Sequence, residues 1–108
     1  MPEKPLAGKK MLTFVGEIYE DLELWYPVLR MREAGMKVVI AGPEAAVTYQ
    51  GKNGYPCTSD AAIRDMEEKS FDALLVPGGF MPDKLRRDEK VKHLVRDFDA
   101  SKKLIAAI

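Results

Sequence analysis

The sequence has 108 residues, of which 46% are apolar and 31% are charged, so it is long enough for one globular domain at most. Its 17 basic residues balance its 17 acidic ones, and this zero net charge argues against binding to nucleic acid or an anionic membrane. The apolar runs are shorter than the roughly 20 residues of a membrane-spanning helix, and the single cysteine excludes an internal disulfide. We therefore expect a cytoplasmic protein with a flexible N-terminus at residues 1–9 and a single domain in residues 10–108.

The first elements predicted along the chain are a strand, a helix and a second strand. The strands are expected at residues 11–15 and 37–41, which are short apolar runs ended by glycine. Asp21 is the expected N-cap of the intervening helix, and Gly35 suits the C′ position after it. The apolar residues of this helix recur at the spacing of one helical face: Leu22, Trp25, Tyr26 and Leu29. This order predicts a right-handed crossover between two parallel strands.

The middle of the chain is expected to form a hairpin and a short helix. Segments 46–50 and 54–58 flank the sequence Gly51-Lys52-Asn53-Gly54, in which Asn-Gly favours the positive φ angles of a tight turn. The polar residues 60–69 are expected to be helical.

The last third of the chain predicts a strand, a helix and a final strand. Residues 71–76 form an apolar run that stops at Pro77-Gly78-Gly79, and the following helix has an apolar face made of Val91, Leu94, Val95 and Phe98. Residues 103–108 are expected to form a central parallel strand that is buried on both faces. Such a strand needs further structure to cover it, so we expect the natural domain to continue beyond Ile108.

A functional site is expected where the carboxyl ends of the parallel strands meet, in the loops after Val15, Val76 and Ile108. The first loop carries four carboxylates within seven residues: Glu17, Glu20, Asp21 and Glu23. Capping, solvation or interaction with the helix dipole would explain each of them without any function. Pro27 cannot donate a hydrogen bond to the carbonyl of Glu23, which predicts a bend of the helix beside the site.

The Pro77-Gly78-Gly79 turn after the third strand leaves two residues without side chains. Such a backbone can present N–H groups to an anion or to a developing oxyanion. By itself the motif indicates only a turn, because it lacks the glycine spacing of dinucleotide-binding and P-loop sites.

Together these motifs resemble the ThiJ/PfpI family of PfpI-like intracellular proteases. The resemblance covers nearly all of residues 10–108, through LTFVGEIYEDLELWYPVLRMREAG, VVIAG, GKNGYP, FDALLVPGGFMPDKLR and KKLIAAI. Its most specific features are Glu23 four residues before Pro27, and PGG followed by Pro82-Asp83. It implies a flavodoxin-like three-layer α/β/α sandwich with a mostly parallel sheet, of the class-I glutamine-amidotransferase-like group. The chain would be the N-terminal portion of that domain.

The resemblance also implies roles for individual residues. The nucleophilic cysteine of the family follows the AAI strand end, so it is expected directly after Ile108, on a strained strand-to-helix elbow. Glu23 matches the glutamate that hydrogen-bonds this cysteine. Gly78 and Gly79 match the loop whose backbone N–H forms part of the oxyanion hole. Asp83 matches the acid that, in protease-like members, reaches across a subunit interface to the catalytic histidine.

Two residues with reactive side chains and the alternative role of Asp83 complete the list of candidates. Cys57 is expected to be a packed, non-catalytic thiol, and His93 a surface or boundary residue. Asp83 could instead be the N-cap of a short helix at residues 84–87. No metal-ligand set is expected, and no cofactor is implied.

The implied function is that of an oligomeric cysteine-dependent hydrolase or lyase whose site is shared across subunits. Its thiolate would attack a carbonyl of a peptide, of a small 2-oxoaldehyde or of a glycated group. One alternative is a non-catalytic stress or redox protein that uses the same cysteine as an oxidation sensor. Another is a glutamine-amidotransferase-like subunit with a synthase partner.

Overall fold

A computed structural model describes residues 4–108, which contain one parallel sheet and one separate hairpin. The five strands of the sheet are β1 (Lys10–Phe14), β2 (Lys37–Gly42), β5 (Ala61–Ala62), β6 (Ala73–Val76) and β7 (Leu104–Ala107), in the order β5-β2-β1-β6-β7. The antiparallel hairpin consists of β3 (Thr48–Gln50) and β4 (Pro56–Thr58). The helices are α1 (Asp21–Glu33), α2 (Met81–Leu85) and α3 (Glu89–Ala100), with short 3₁₀ turns at Ile63–Asp65 and Glu68–Ser70.

The sheet topology gives the predicted three-layer sandwich. All four strand pairings in the sheet are parallel. From β1 the chain crosses through α1 to β2 on one side, and from β6 it crosses through α3 to β7 on the other. Right-handed crossovers in opposite directions place their helices on opposite faces of the sheet. The flavodoxin-like α/β/α arrangement, with its central strands among the buried core, is therefore confirmed.

The face of α1 that packs against the sheet is not the predicted one. Leu24 and Val28 are fully buried, whereas Leu22, Tyr26 and Leu29 are 73%, 69% and 57% exposed. Both sets of residues recur with helical spacing, so periodicity alone could not choose between the two faces. The rotation of the helix is instead set at its first residue, Asp21, whose side chain is buried against the hairpin.

This rotation predicts a large difference between two leucines of the same helix. Replacing Leu24 with alanine is expected to lower the free energy of unfolding by about 2–5 kcal/mol, because it leaves a cavity in the core. Replacing Leu22 with alanine is expected to change it by no more than about 0.5 kcal/mol. Urea titration of the two variants measures this difference, and equal losses would contradict the observed rotation.

The capping residues predicted for α1 are correct at its C-terminus but not at its N-terminus. The C-terminus is as predicted, since Ala34 is the C-cap and Gly35 follows it with φ of +97°. At the N-terminus the prediction was wrong, because Glu20 occupies the N-cap position and Asp21 lies inside the first turn. Asp21 does not cap the helix because its carboxylate binds backbone N–H groups of the hairpin. The helix runs through Pro27 without interruption.

Two predictions for the middle of the chain need correction. The hairpin forms, but its strands are joined by residues 51–55, and Gly54 alone in this loop has a positive φ, so the tight Asn-Gly turn is absent. The loop is longer because its backbone bonds to other parts of the protein. Residues 60–69 form β5 and two 3₁₀ turns instead of an α-helix. Asp60 exchanges two hydrogen bonds with Ile40 of β2, which holds the start of this segment extended along the sheet edge.

The last strand differs from its prediction in burial. β7 pairs with β6 in parallel, as expected, but it lies at one edge of the sheet formed by residues 4–108. Leu104 and Ile108 are 68% and 60% exposed. The prediction of a strand buried on both faces was wrong for this structure, because a parallel strand needs neighbours on each side and each face to be buried.

The N-terminal residues 4–9 pack against the end of α1. The N–H of Leu6 donates to the carbonyl of Ala34 over 2.9 Å, and the Leu6 side chain lies against the core. The first three residues of the segment expected to be flexible lie outside the described residues. None of the helices described in residues 4–108 has the length and apolar character needed to cross a membrane.

Candidate active site

The segments that follow β1, β6 and β7 meet at one edge of the sheet. After β6, the N–H of Gly78 donates to Oε1 of Glu23 in α1 over 2.9 Å. After β7, the N–H of Ile108 donates to the carbonyl of Val76 over 3.2 Å. A Cβ atom placed on Gly78 would lie 2.7 Å from the carbonyl oxygen of Ile108 and would overlap the Glu23 carboxylate. The Glu23 carboxylate, the Gly78 backbone and the Ile108 carbonyl are therefore in direct contact range.

The two glycines of the turn after β6 have different roles in the backbone. The N–H of Gly78 is occupied by Glu23. Within residues 4–108, the N–H of Gly79 has no hydrogen-bond acceptor. Gly79 faces Tyr19 in an antiparallel bridge whose hydrogen bonds are made by the flanking residues, so its own N–H points away from that bridge. Gly79 is thus the residue of this turn with a backbone donor available.

The four carboxylates in residues 17–23, two in the loop before α1 and two in its first turn, divide into two groups. Glu17, Glu20 and Asp21 all bind the hairpin, through the N–H of Gln50, the side chains of Lys52 and Asn53, and the N–H groups of Asn53 and Tyr55. Glu23 alone turns towards the strand ends. Three of the four carboxylates therefore have a structural explanation.

The loop between β1 and α1 also joins the hairpin to the turn after β6, two parts of the backbone that are distant in sequence. Residues 18–20 lie between the hairpin on one side and the turn after β6 on the other. Four backbone hydrogen bonds of 2.7–3.0 Å make this ladder: Ile18 N–H to Gln50, Lys52 N–H to Tyr19, Glu20 N–H to Gly78, and Phe80 N–H to Ile18. No side-chain motif encodes such main-chain contacts, so they could not be predicted from the sequence.

Asp83 lies on the surface and takes no part in the hydrogen bond between Glu23 and Gly78. It is the third residue of α2, where its carboxylate pairs with Arg86 over 3.1 Å and is 64% exposed. The N-cap position of α2 is taken by Phe80, so the alternative of Asp83 as an N-cap was wrong. The helix begins earlier than expected because Pro82 suits its first turn.

Cys57 and His93 differ in burial, and neither lies at the strand ends described above. Cys57 lies in β4 and is 1% exposed, and burial, followed by the nearby charge of Asp60, raises the pKa of its thiol to about 11. The thiol is therefore protonated at neutral pH and unsuited to nucleophilic attack. His93 is exposed on α3, 3.6 Å from the Asp97 carboxylate. No three His, Cys, Asp or Glu side chains of residues 4–108 are grouped to hold a metal ion.

A small depression adjoins the meeting point of the strands. Its volume is about 320 Å³, and it is lined by Leu22, Glu23, Tyr26, Pro27 and Ile108. Apart from the Glu23 carboxylate its wall is mainly apolar. The depression thus places an acidic group at the edge of an apolar surface, directly beside the end of β7.

The sequence matches the model of a known protein family. The family model described as "DJ-1/PfpI family" covers residues 9–108. This chain belongs to the DJ-1/PfpI family. The match covers every element of the sheet, both longer helices and the Glu23, Gly78 and Ile108 contact, so the resemblance inferred from the motifs is confirmed.

Curated relatives in the DJ-1/PfpI family carry several different names. "Putative cysteine protease YraA" of Bacillus subtilis is 41% identical over 94% of this chain and 60% of its own length. "General stress protein 18" of the same species is 38% identical over 94% of this chain and 59% of its own length. A deglycase of Pyrococcus horikoshii is 36% identical over 92% of this chain and 59% of its own length. The chain thus spans about 60% of the length of these relatives.

Solved structures of this family share the fold. A two-domain protein from Anabaena variabilis, with a DJ-1/ThiJ/PfpI-like and a ferritin-like domain, superposes with a TM-score of 0.88 and 32% identity, over 92% of this chain and 29% of that one. Oxidized DJ-1 of Toxoplasma gondii superposes with a TM-score of 0.83 and 28% identity, over 93% of this chain and 55% of that one.

Proposed function

We propose that the meeting point of β1, β6 and β7 is the active site of a cysteine-dependent hydrolase or lyase, completed by a nucleophilic cysteine directly after Ile108. The observation that carries this proposal is the position of the Ile108 carbonyl, 2.7 Å from where a Cβ of Gly78 would be. The next residue of the chain would therefore start beside the Glu23 carboxylate. Of the four carboxylates in residues 17–23, this is the only one that does not bind the hairpin.

The chemistry needs a thiolate, a group that holds its proton and a donor for the oxyanion. Glu23 orients the thiol and accepts its proton, while its bond to Gly78 fixes the direction of the carboxylate. As the sulfur bonds to the substrate carbonyl carbon, the π electrons move to the oxygen, which the N–H of Gly79 stabilises. For a peptide, collapse of this intermediate expels the amine with a proton, and water hydrolyses the resulting thioester.

The substrates are peptides, small 2-oxoaldehydes or glycated groups, which share an electrophilic carbonyl. The names of the relatives support both branches, since one is called a cysteine protease and another a deglycase. A homo-oligomer completes the site in the protease-like branch, where the exposed carboxylate of Asp83 reaches the catalytic histidine of a neighbouring subunit and orients it.

The test of this proposal begins with labelling and turnover of the complete protein. Iodoacetamide at neutral pH is expected to label a cysteine after Ile108 and to leave Cys57, which is buried, unmodified. Turnover is then measured with a peptide library and with a 2-oxoaldehyde. Labelling of Cys57 alone, or no turnover of either substrate class, would contradict the proposal.

A stress or redox function is the second candidate, because one relative is named a general stress protein and one solved neighbour is oxidized DJ-1. The Asp83→Asn variant separates the two functions. A triad enzyme is expected to lose roughly 10²-fold or more in turnover, whereas peroxide oxidation of the cysteine stays unchanged. Asp99→Asn, an exposed carboxylate on α3, is the matched control. Full turnover in Asp83→Asn would remove Asp83 from the mechanism.

A further inference from the structure

The carboxylate of Asp21 is buried, yet it neither caps α1 nor faces the strand ends. Only 6% of the residue is exposed. Its two oxygens accept hydrogen bonds from the N–H of Asn53 over 2.9 Å and from the N–H of Tyr55 over 2.8 Å. A Cβ on Gly51 would overlap this carboxylate. Asp21 therefore fills a space that only a glycine leaves open, and it joins α1 to the hairpin loop 51–55.

A second side chain, that of Tyr19, also binds this loop. The hydroxyl of Tyr19 donates to the carbonyl of Tyr55 over 2.7 Å and accepts from the indole N–H of Trp25 over 3.1 Å. Burial is the largest influence on the Tyr19 hydroxyl and raises its pKa to about 12, so it stays protonated and able to donate. Both backbone groups of Tyr55 are thus bound by residues 19–21.

The loop is connected to the proposed oxyanion donor through the backbone. Residues 18–20 bond to the hairpin along one edge and to Gly78 and Phe80 along the other. Gly79 lies between these two residues, with its φ at +92°, and a Cβ placed on it would overlap the backbone of Ile18 and Glu20. A displacement of residues 18–20 would therefore turn the Gly79 N–H.

We infer that Asp21 is a positioning residue that, by holding the hairpin loop 51–55 against α1, keeps residues 18–20 in place and so fixes the direction of the Gly79 N–H. The inference rests on the proposed function, which makes that N–H the oxyanion donor. Asp21 touches neither the substrate nor the nucleophile, and it acts through the backbone alone.

The ionisation of Asp21 agrees with this role. Burial opposes the charged form most strongly, but hydrogen bonds from the backbone of Asn53, Tyr55 and Asp21 itself and from the Asn53 side chain together outweigh it, so the pKa of the carboxyl lies below its usual range. Because its pKa is lower in the folded than in the unfolded chain, the stabilisation is complete above about pH 4 and is lost as the pH falls through the folded pKa. The positioning contact is therefore intact at neutral pH.

The experiment replaces Asp21 with asparagine in the complete protein. Asparagine keeps the size of the side chain, but its amide N–H₂ group opposes one of the two backbone donors. Asp72→Asn is the matched control, because the Asp72 carboxylate also accepts a backbone N–H, that of Lys10 over 2.8 Å, at the opposite end of the sheet. Tyr19→Phe is a milder second variant, which removes one hydroxyl contact with the same loop.

Two readouts are needed, and the first is independent of catalysis. Hydrogen exchange is expected to accelerate at the N–H groups of Tyr55, Glu20 and Phe80 in Asp21→Asn, but not in Asp72→Asn. Turnover is expected to fall about 10- to 100-fold in kcat with little change in KM, since a small misplacement of a catalytic donor has effects of this size. Tyr19→Phe is expected to change both readouts in the same direction and by less.

The outcomes distinguish a failure of this inference from a failure of the proposed function. Faster exchange confined to the hairpin loop, with Glu20 and Phe80 unchanged, would overturn the inference. Exchange that spreads to Phe80 while kcat stays at the wild-type value would also overturn it, because the donor would then not depend on the contact. If the wild-type protein has no turnover, the proposed function fails, and the exchange readout alone decides whether Asp21 holds residues 18–20.

Discussion

Replacing Glu23 with glutamine is expected to lower the turnover of the complete protein by roughly 10²-fold or more, the range lost when a positioned acid or base is removed. Glutamine can still accept the hydrogen bond from the N–H of Gly78, so the local backbone is preserved and only the charge is lost. The same change is expected to alter the pH dependence of cysteine alkylation by iodoacetamide, because the thiol would ionise without a neighbouring carboxylate.

Glu17→Gln is the control for Glu23→Gln. Glu17 is a carboxylate of the same loop, but it is exposed and accepts a long hydrogen bond of 3.4 Å from Gln50 in the hairpin. Its loss is expected to leave turnover and the alkylation profile unchanged. An alkylation profile in Glu23→Gln that matches the wild type would remove Glu23 from the mechanism.

Replacing Gly79 with alanine is expected to produce the largest loss of stability at the site. Its φ of +92° is costly for a residue with a side chain. A Cβ there would also lie 2.6 Å from the carbonyl oxygen of Ile18 and 2.7 Å from the backbone nitrogen of Glu20. Because both contacts are with backbone atoms, no side chain can move aside, and the loop itself must shift.

Gly54→Ala separates the two contributions to this loss. Gly54 has a similar φ of +88°, but a Cβ there would meet no atom within 4 Å. We expect Gly54→Ala to lower the free energy of unfolding by about 1–3 kcal/mol, the cost of an unfavourable backbone conformation. Gly79→Ala is expected to lose about 1–3 kcal/mol more, the cost of inserting atoms into a packed region. Equal losses in the two variants, measured by urea unfolding, would show that the backbone around Gly79 adapts freely.

The parallel sheet and the buried face of α3 could be predicted because only one interpretation fitted the apolar pattern in each case. The runs that became β1, β2 and β6 are too short for helices, and glycine or proline ends each of them. In α3 the apolar residues form a single stripe, of which Val91, Leu94 and Phe98 are buried. In α1 two stripes compete, and the sequence pattern favoured the one that the structure leaves exposed apart from Trp25.

The candidate site was predicted to a similar extent. Its position at the carboxyl ends of the strands follows from the parallel sheet, and the motif around Glu23 and the double glycine pointed to the residues concerned. The different roles of Gly78 and Gly79 could not be predicted, because they depend on which N–H the Glu23 carboxylate reaches. The function of Asp21 was also misjudged, since helix capping is a local rule and its partners lie more than thirty residues away.

The sequence by itself determined the order of β1, α1, β2, β6, α3 and β7, the parallel pairing and the loops in which chemistry is expected. These properties depend on short-range spacing of apolar residues and on glycine and proline, whose effects act within a few residues. Only the tertiary structure decided the rotation of α1, the assignment of three carboxylates to the hairpin and the connection from Asp21 to Gly79. These depend on hydrogen bonds between segments distant in sequence, because a buried carboxylate or backbone group bonds to whichever donor the fold brings to it.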